Sequence, residues 1–280
     1  MRELNYPLQE LNYPLQELNY PSAGGTLRAL YFAAPRQGAP LIVDIHGGGF
    51  CSGSADGDAD LCARLARETG WNAVSLDYRL APAHRYPAAA EDVRALYAAL
   101  RADASLHFDR QKVVVMGHSA GANLAVALVR SEGAAGAVLN YPWLNIADNR
   151  RKYRMASIPK FVLDSFAKKY CPDRALRRDP ALSPLYMGGE EAAAMPPTLV
   201  VTAGQDSLRA DGIAFCKLLQ GAGVGVRHIE YPAARHGFIE IAASGRMKKN
   251  FYTSEKTVQA QLGCYEQALA DIICYMREIV

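Results

Sequence analysis

A chain of 280 residues, half of them hydrophobic, can bury a substantial core within one α/β domain. Its longest apolar runs are strand-sized, well short of the roughly 20 residues a membrane helix needs, so no membrane span is expected. A formal charge of +3, dispersed along the chain, argues against a nucleic-acid surface.

The opening Met-Arg-Glu-Leu-Asn-Tyr-Pro lacks the basic-then-apolar form of a signal peptide, so no leader is expected. Glu-Leu-Asn-Tyr-Pro-Leu-Gln occurs at 3–9 and 10–16 and starts again at Glu17 before diverging at Ser22. Its leucines, at 4, 8, 11, 15 and 18, alternate steps of four and three as in a coiled coil. Pro7, Pro14 and Pro21 veto that reading, because each removes a backbone donor and restricts the residue before it. Residues 1–24 are therefore expected to form an extended or loosely docked segment ahead of one α/β domain at 25–280.

Strand patterns follow near 27–33, 40–45, 72–77, 112–117, 135–141, 197–203 and 225–231, and helical patterns at 57–69, 88–102, 120–131, 209–221 and 254–277. This alternation predicts a mostly parallel sheet with helices on both faces. Strand carboxyl ends then share one edge, where residues distant in sequence meet.

The strand Leu41 to Ile45 runs into His46-Gly47-Gly48-Gly49-Phe50. Consecutive glycines let backbone N–H groups point into one space, as stabilisation of an oxyanion requires. Gly48 is the surest donor, with Gly47 or Gly49 beside it. A phosphate loop would need a following Lys-Ser/Thr or a G-x-G-x-x-G, and neither is present. His46 reads as a loop-organising residue, and Asp77 and Arg79 as a charge pair behind the loop. Cys51 reads as a buried thiol, since no second base accompanies it.

Residues 117–121 read Gly-His-Ser-Ala-Gly, between the strand run Val113–Met116 and the helical stretch Ala122–Val129. A Gly-x-Ser-x-Gly in that setting is a nucleophile elbow, with Ser119 on a strained turn and the Ala120 N–H as a further oxyanion donor. The segment 143–195 then interrupts the α/β rhythm with prolines, aromatics and a short helical piece, Phe161 to Tyr170. It is the expected lid or pocket element, against the alternative of a surface excursion. The basic cluster Arg150-Arg151-Lys152-Tyr153-Arg154 reads as a solvated face.

The acid and the base should follow the serine in that order. Asp206 stands just beyond the strand Pro197–Thr202, whereas its rival Asp211 falls inside a helical pattern and is expected to be solvated. Of the two histidines beyond Asp206, His228 lies mid-strand and His236 in a loop before Gly237, so His236 is the expected base.

With these residues in place the chain resembles the hormone-sensitive-lipase-like branch of α/β-hydrolase esterases. The matching segments are His46 to Phe50, Asp77-Tyr78-Arg79-Leu80-Ala81-Pro82, Tyr86-Pro87-Ala88-Ala89, Gly117 to Gly121, Asp206-Ser207-Leu208-Arg209 and His236-Gly237-Phe238. The chain departs from the family pattern at His118, where Asp or Glu is common, at Ala122 for Gly, at Ala83 for Glu and at Ser207 for Pro. His118 and Ala83 are expected to bear on the pocket wall and hence on substrate preference. The resemblance also offers the N-terminal segment a second role, as part of a cap over the site.

The expected activity is hydrolysis of short-chain acyl esters through an acyl-enzyme, with Ser119, Asp206 and His236 as triad and no metal or cofactor. An arylformamidase or peptidase on the same triad is the alternative, and a non-catalytic binding protein on this fold a minor one. The expected partner is a small-molecule ester, with no nucleic acid and no membrane; homodimer formation is left open. Six cysteines without a C-x-x-C or a pairing rhythm suggest free thiols in a reducing cytoplasm and no zinc site.

Overall fold

The computed structural model describes residues 14–22, 24–148, 157–247 and 254–280. The repeat residues at 3–13 and the basic cluster at 150–154 lie outside them.

Apolar residues alternate along the central strands, and that alternation divides the core into two layers. From β3 (Ala39–Ile45) and β5 (Phe108–His118), Leu41, Val43, Val113 and Val115 face one layer, while Ile42, Val114 and Met116 face the other. The first layer is closed by α2 (Ala88–Ala102), α3 (Ala120–Glu132) and α6 (Arg209–Gly221). The second is closed by α1 (Ala55–Thr69), the short α7 (Phe238–Ala243) and α8 (Glu255–Ile279). Strands buried on both faces are what a parallel sheet between two helical layers demands.

The remaining strands are β1 (Leu15–Ser22), β2 (Gly25–Phe32), β4 (Asn72–Leu76), β6 (Gly136–Asn140), β7 (Thr198–Ala203) and β8 (Val226–Tyr231). They complete an eight-stranded sheet of order β1-β2-β4-β3-β5-β6-β7-β8. From β4 to β8 every pairing is parallel, and β1 and β2 add an antiparallel edge. The α/β fold expected from the sequence is the one observed, with the strand ends before Ser119, Asp206 and His236 gathered at one edge.

Two differences from expectation concern the chain's start and the short α7. The end of the second copy and the third copy are extended, one of the forms expected, but paired rather than loosely docked: they form β1, in register with β2 from Leu15↔Phe32 to Ser22↔Gly25. Pro21 is tolerated because, among the described residues, β1 is the sheet's outermost strand, with one row of its backbone groups outside the ladder. Among the described residues the sheet begins at Leu15. The six residues of α7 are too few for a periodic signal to resolve.

The expected Asp77–Arg79 pair does not form. Asp77 accepts from the Ala55 N–H at the start of α1 (2.6 Å) and pairs with Arg28 (2.8 Å), where its charge complements the helix N-terminus. Arg79 is held in a two-pronged pair by the buried Asp92 of α2 (2.8 Å for both Nε–Oδ2 and Nη2–Oδ1). Asp92 also accepts from the Arg79 N–H (2.9 Å).

The described part of 143–195 contains α4 (Lys160–Tyr170), α5 (Gly189–Ala193) and two short 3-10 turns. No helix among the described residues is long and apolar enough to cross a membrane. All six cysteines are unpaired.

Candidate active site

Ser119 sits between β5 and α3 with φ 55° and ψ −113°, a conformation that costs a non-glycine residue energy. The flanking glycines permit the turn. A methyl group at Gly117 would lie 2.5 Å from the Gly121 carbonyl oxygen, and one at Gly121 would lie 2.1 Å from that of Ile45. The Ser119 backbone is pinned on both sides, its N–H donating to Asn140 O (2.9 Å) and its carbonyl accepting from Trp143 N–H (3.1 Å).

His236 and Asp206 meet Ser119 here. The Ser119 hydroxyl lies 3.0 Å from His236 Nε2, and His236 Nδ1 lies 2.8 Å from Asp206 Oδ2. The second Asp206 oxygen accepts from the Leu208 N–H (3.0 Å) and the Ser157 hydroxyl (3.4 Å). Burial disfavours a charged His236, but the charge and hydrogen bond of Asp206 outweigh it and raise the imidazole pKa. An imidazole so poised can take a proton from the hydroxyl and keep the resulting charge stabilised.

The rivals stand elsewhere. His228 bonds to Thr202 (2.8 Å) on β7 and takes no part. Asp211 is not solvated as expected: it is buried, and its Oδ2 accepts from the N–H groups of Leu144 (3.1 Å) and Asn145 (3.0 Å). It anchors the start of the 143–195 insertion, on the face of α6 that the helical pattern alone could not orient.

The glycine loop faces the serine. The position of a Gly47 Cβ would lie 3.5 Å from Ser119 Cβ. Gly48 has φ 113°, and a side chain there would strike the Ser52 carbonyl at 2.0 Å, so only glycine fits. Neither Gly48 nor Gly49 donates its N–H to a turn or a side chain among the described residues. The Ala120 N–H, at the start of α3, has no intrahelical acceptor. Three backbone donors of the loop and the elbow are therefore without an acceptor among the described residues.

The loop is braced from below and above. The His46 ring stacks on Tyr78 at 4.1 Å, Tyr78 donates its hydroxyl to His46 O (3.0 Å), and the Ala81 N–H donates to Phe50 O (2.9 Å). Burial pushes the His46 pKa down, which suits a neutral organising residue. Phe50 stacks on Tyr170 of α4 at 3.9 Å, and the Phe166 ring occupies the space a Gly49 side chain would need. The insertion thus contacts the site and is not a distant excursion. Cys51 beside it is partly buried, and burial raises its thiol pKa, which keeps it a poor nucleophile.

Three residues near the site carry no motif. Ser157 also accepts from the His236 N–H (3.4 Å), and Tyr141, with φ 38°, sets its ring edge-on to His236 at 5.1 Å. Glu240 stands one helical turn past His236 and bonds to the Tyr141 hydroxyl. Ser207, the departure from the family's proline, exchanges hydrogen bonds with the backbone of Ile158 (3.1 and 2.7 Å). It thereby ties the acid's loop to the insertion. His118 does not line the pocket as expected. It is wholly buried beneath the elbow on the α1 side of the sheet, with Nε2 3.1 Å from Asp44.

Residues 42–240 match a family model described as the alpha/beta hydrolase fold. The carboxylic ester hydrolase LipN of Mycobacterium tuberculosis is 33% identical over 239 residues, which cover 79% of this chain and 63% of that protein. The ethyl acetate hydrolase of Pseudomonas putida is 31% identical over 237 residues, 79% of this chain and 74% of that protein. Among solved structures, an esterase of Pyrobaculum calidifontis superposes with a TM-score of 0.79 at 29% identity, covering 97% of this chain and 88% of that one. The chain belongs to the α/β-hydrolase fold family, in its hormone-sensitive-lipase-like esterase branch.

Proposed function

We propose that this protein is a serine carboxylesterase acting on soluble, short-chain acyl esters. The observation that carries the reading is the chain of contacts from Ser119 Oγ to His236 Nε2 (3.0 Å) and from Nδ1 to Asp206 (2.8 Å), beside the glycine loop, where a Gly47 Cβ would lie 3.5 Å from Ser119 Cβ. The esterase names of the relatives support the same reaction class.

In this mechanism Ser119 Oγ attacks the ester carbonyl while His236 Nε2 takes its proton. Asp206 holds the Nδ1–H tautomer and stabilises the imidazolium. Gly48 and Ala120 N–H groups, with a neighbouring glycine, receive the oxyanion. His236 returns its proton to the leaving alcohol, then activates the water that cleaves the acyl-enzyme. The insertion forms the acyl wall through α4, whose Phe166 lies over Gly49. Six unpaired thiols support a reducing compartment, the cytoplasm in our reading.

Short acyl groups are favoured because each buried CH₂ contributes only about 0.8 kcal/mol, and only until the wall is reached. A series of nitrophenyl esters, assayed below their aggregation limit, should peak between acetyl and about hexanoyl. A peak at lauroyl or beyond, or a jump in rate when the substrate forms an interface, would mean a lipase. Faster turnover of formyl-aromatic amides than of any ester would mean an arylformamidase.

A further inference from the structure

Beneath the elbow lies a buried polar cluster that the triad chemistry does not use. His118 is its centre. Nε2 faces Asp44 Oδ1 (3.1 Å), while Nδ1 faces the Tyr141 hydroxyl (3.2 Å) and Glu240 Oε2 (3.4 Å). The remaining titratable neighbours are Asp58 on α1, His46 at the end of β3 and His236 ahead of α7. Asp44 is further contacted by Cys62 and by Ser75 (3.3 Å).

Both ring nitrogens of His118 face oxygen acceptors, the pattern of an imidazolium with two N–H donors. Asn140 agrees. Its Oδ1 is buried without a partner among the described residues, while its Nδ2 stands 3.3 Å from His118 Nδ1. Turning the amide over brings the oxygen to Nδ1–H, where it can accept. Burial opposes the charge, but Glu240, then Asp44, overcome it and raise the His118 pKa to about 10. Burial, and then the neighbouring Asp44 charge, raise the Asp58 carboxyl well above its usual range.

The cluster touches the reacting residues at two points. Asn140 O accepts the Ser119 N–H (2.9 Å), and the Tyr141 ring packs edge-on against His236 (5.1 Å). We propose that His118 is a positioning residue whose imidazolium pairs with Asp44 and Glu240, holds the Glu240–Tyr141 contact behind His236, and sets the pH at which His236 accepts the Ser119 proton. The inference rests on His236 being the general base.

The signs follow from charge. Negative Glu240 favours the protonated form of His236, and positive His118 disfavours it. The acidic limb of kcat/KM reports the base in the free enzyme, and activity falls as pH drops through its pKa. Glu240→Gln removes a negative charge and should move that limb to lower pH by about half to one pH unit. His118→Gln removes a positive charge and should move it up by a similar amount. The double variant should return toward the wild-type position. A packing role would lower kcat in either variant without displacing the limb in opposite directions.

The pH dependence of labelling by a serine-directed phosphonate gives the same limb without turnover. His118 is wholly enclosed, so its variant can fail to fold; Glu240, at the cluster's partly exposed side, then decides alone. An unmoved or upward limb in Glu240→Gln overturns the inference, as does a shift of both variants in one direction. Ser119→Ala separates the two levels. If that variant still hydrolyses esters, the esterase assignment fails; if it is inert while the Glu240→Gln limb stays in place, only the role of His118 fails.

Discussion

Ser119→Ala should reduce ester turnover by roughly 10⁶-fold, the scale reached when a triad serine is removed from a serine hydrolase. It should also abolish covalent labelling by phosphonates. The physical reason is that, among the described residues, the hydroxyl bonded to His236 Nε2 is that of Ser119, at 3.0 Å. The fold should persist, because the bonds that hold this turn are made by the Ser119 backbone to Asn140 and Trp143. An alanine leaves them in place and occupies the same backbone conformation. Intact-protein mass after phosphonate treatment, together with the thermal midpoint, tests both halves. Labelling of the variant at an unchanged rate would show that another residue is the nucleophile.

Asp206→Asn should cost about 10⁴ in kcat, the loss found when the triad carboxylate of a serine protease becomes an amide and the imidazole takes the wrong tautomer. The variant should remain folded, since Asn can still accept the Leu208 N–H that Asp206 receives at 3.0 Å. Asp211 offers the contrast. Its carboxylate satisfies two buried backbone donors at 3.1 and 3.0 Å, so Asp211→Ala leaves them unpaired and should lower stability by about 1–3 kcal/mol. Its effect on kcat at a temperature where the variant is folded should be small. Denaturant unfolding and steady-state kinetics on both variants separate the roles. A catalytic collapse at Asp211 with little change at Asp206 would reverse the assignment.

The strand and helix patterns and the Gly-x-Ser-x-Gly, glycine-loop, acid and histidine segments were all readable along the chain. Each is local: a turn demands glycine where a side chain would collide, and a buried strand demands apolar residues on both faces. Such demands leave their mark within a few residues. Asp206 was separable from Asp211 for the same reason, since a strand's end and a helix interior differ in local pattern.

Partnerships across the fold left no such mark. Asp77 and Arg79 are near neighbours in sequence with opposite charge, yet each is satisfied elsewhere, by Arg28 and by Asp92, because side-chain direction depends on how strands and helices pack. Asp211 lies in a helix whose pattern gives a period but not the buried loop that needs its oxygens. The repeat residues from Leu15 onward become a strand through pairing with β2, a match of backbone donors with no residue signature of its own. His118 reads as one substituted letter in a motif. Its meaning depends on Asp44, Tyr141 and Glu240, which three separate elements bring to it, and the energy of a buried charge depends on who surrounds it.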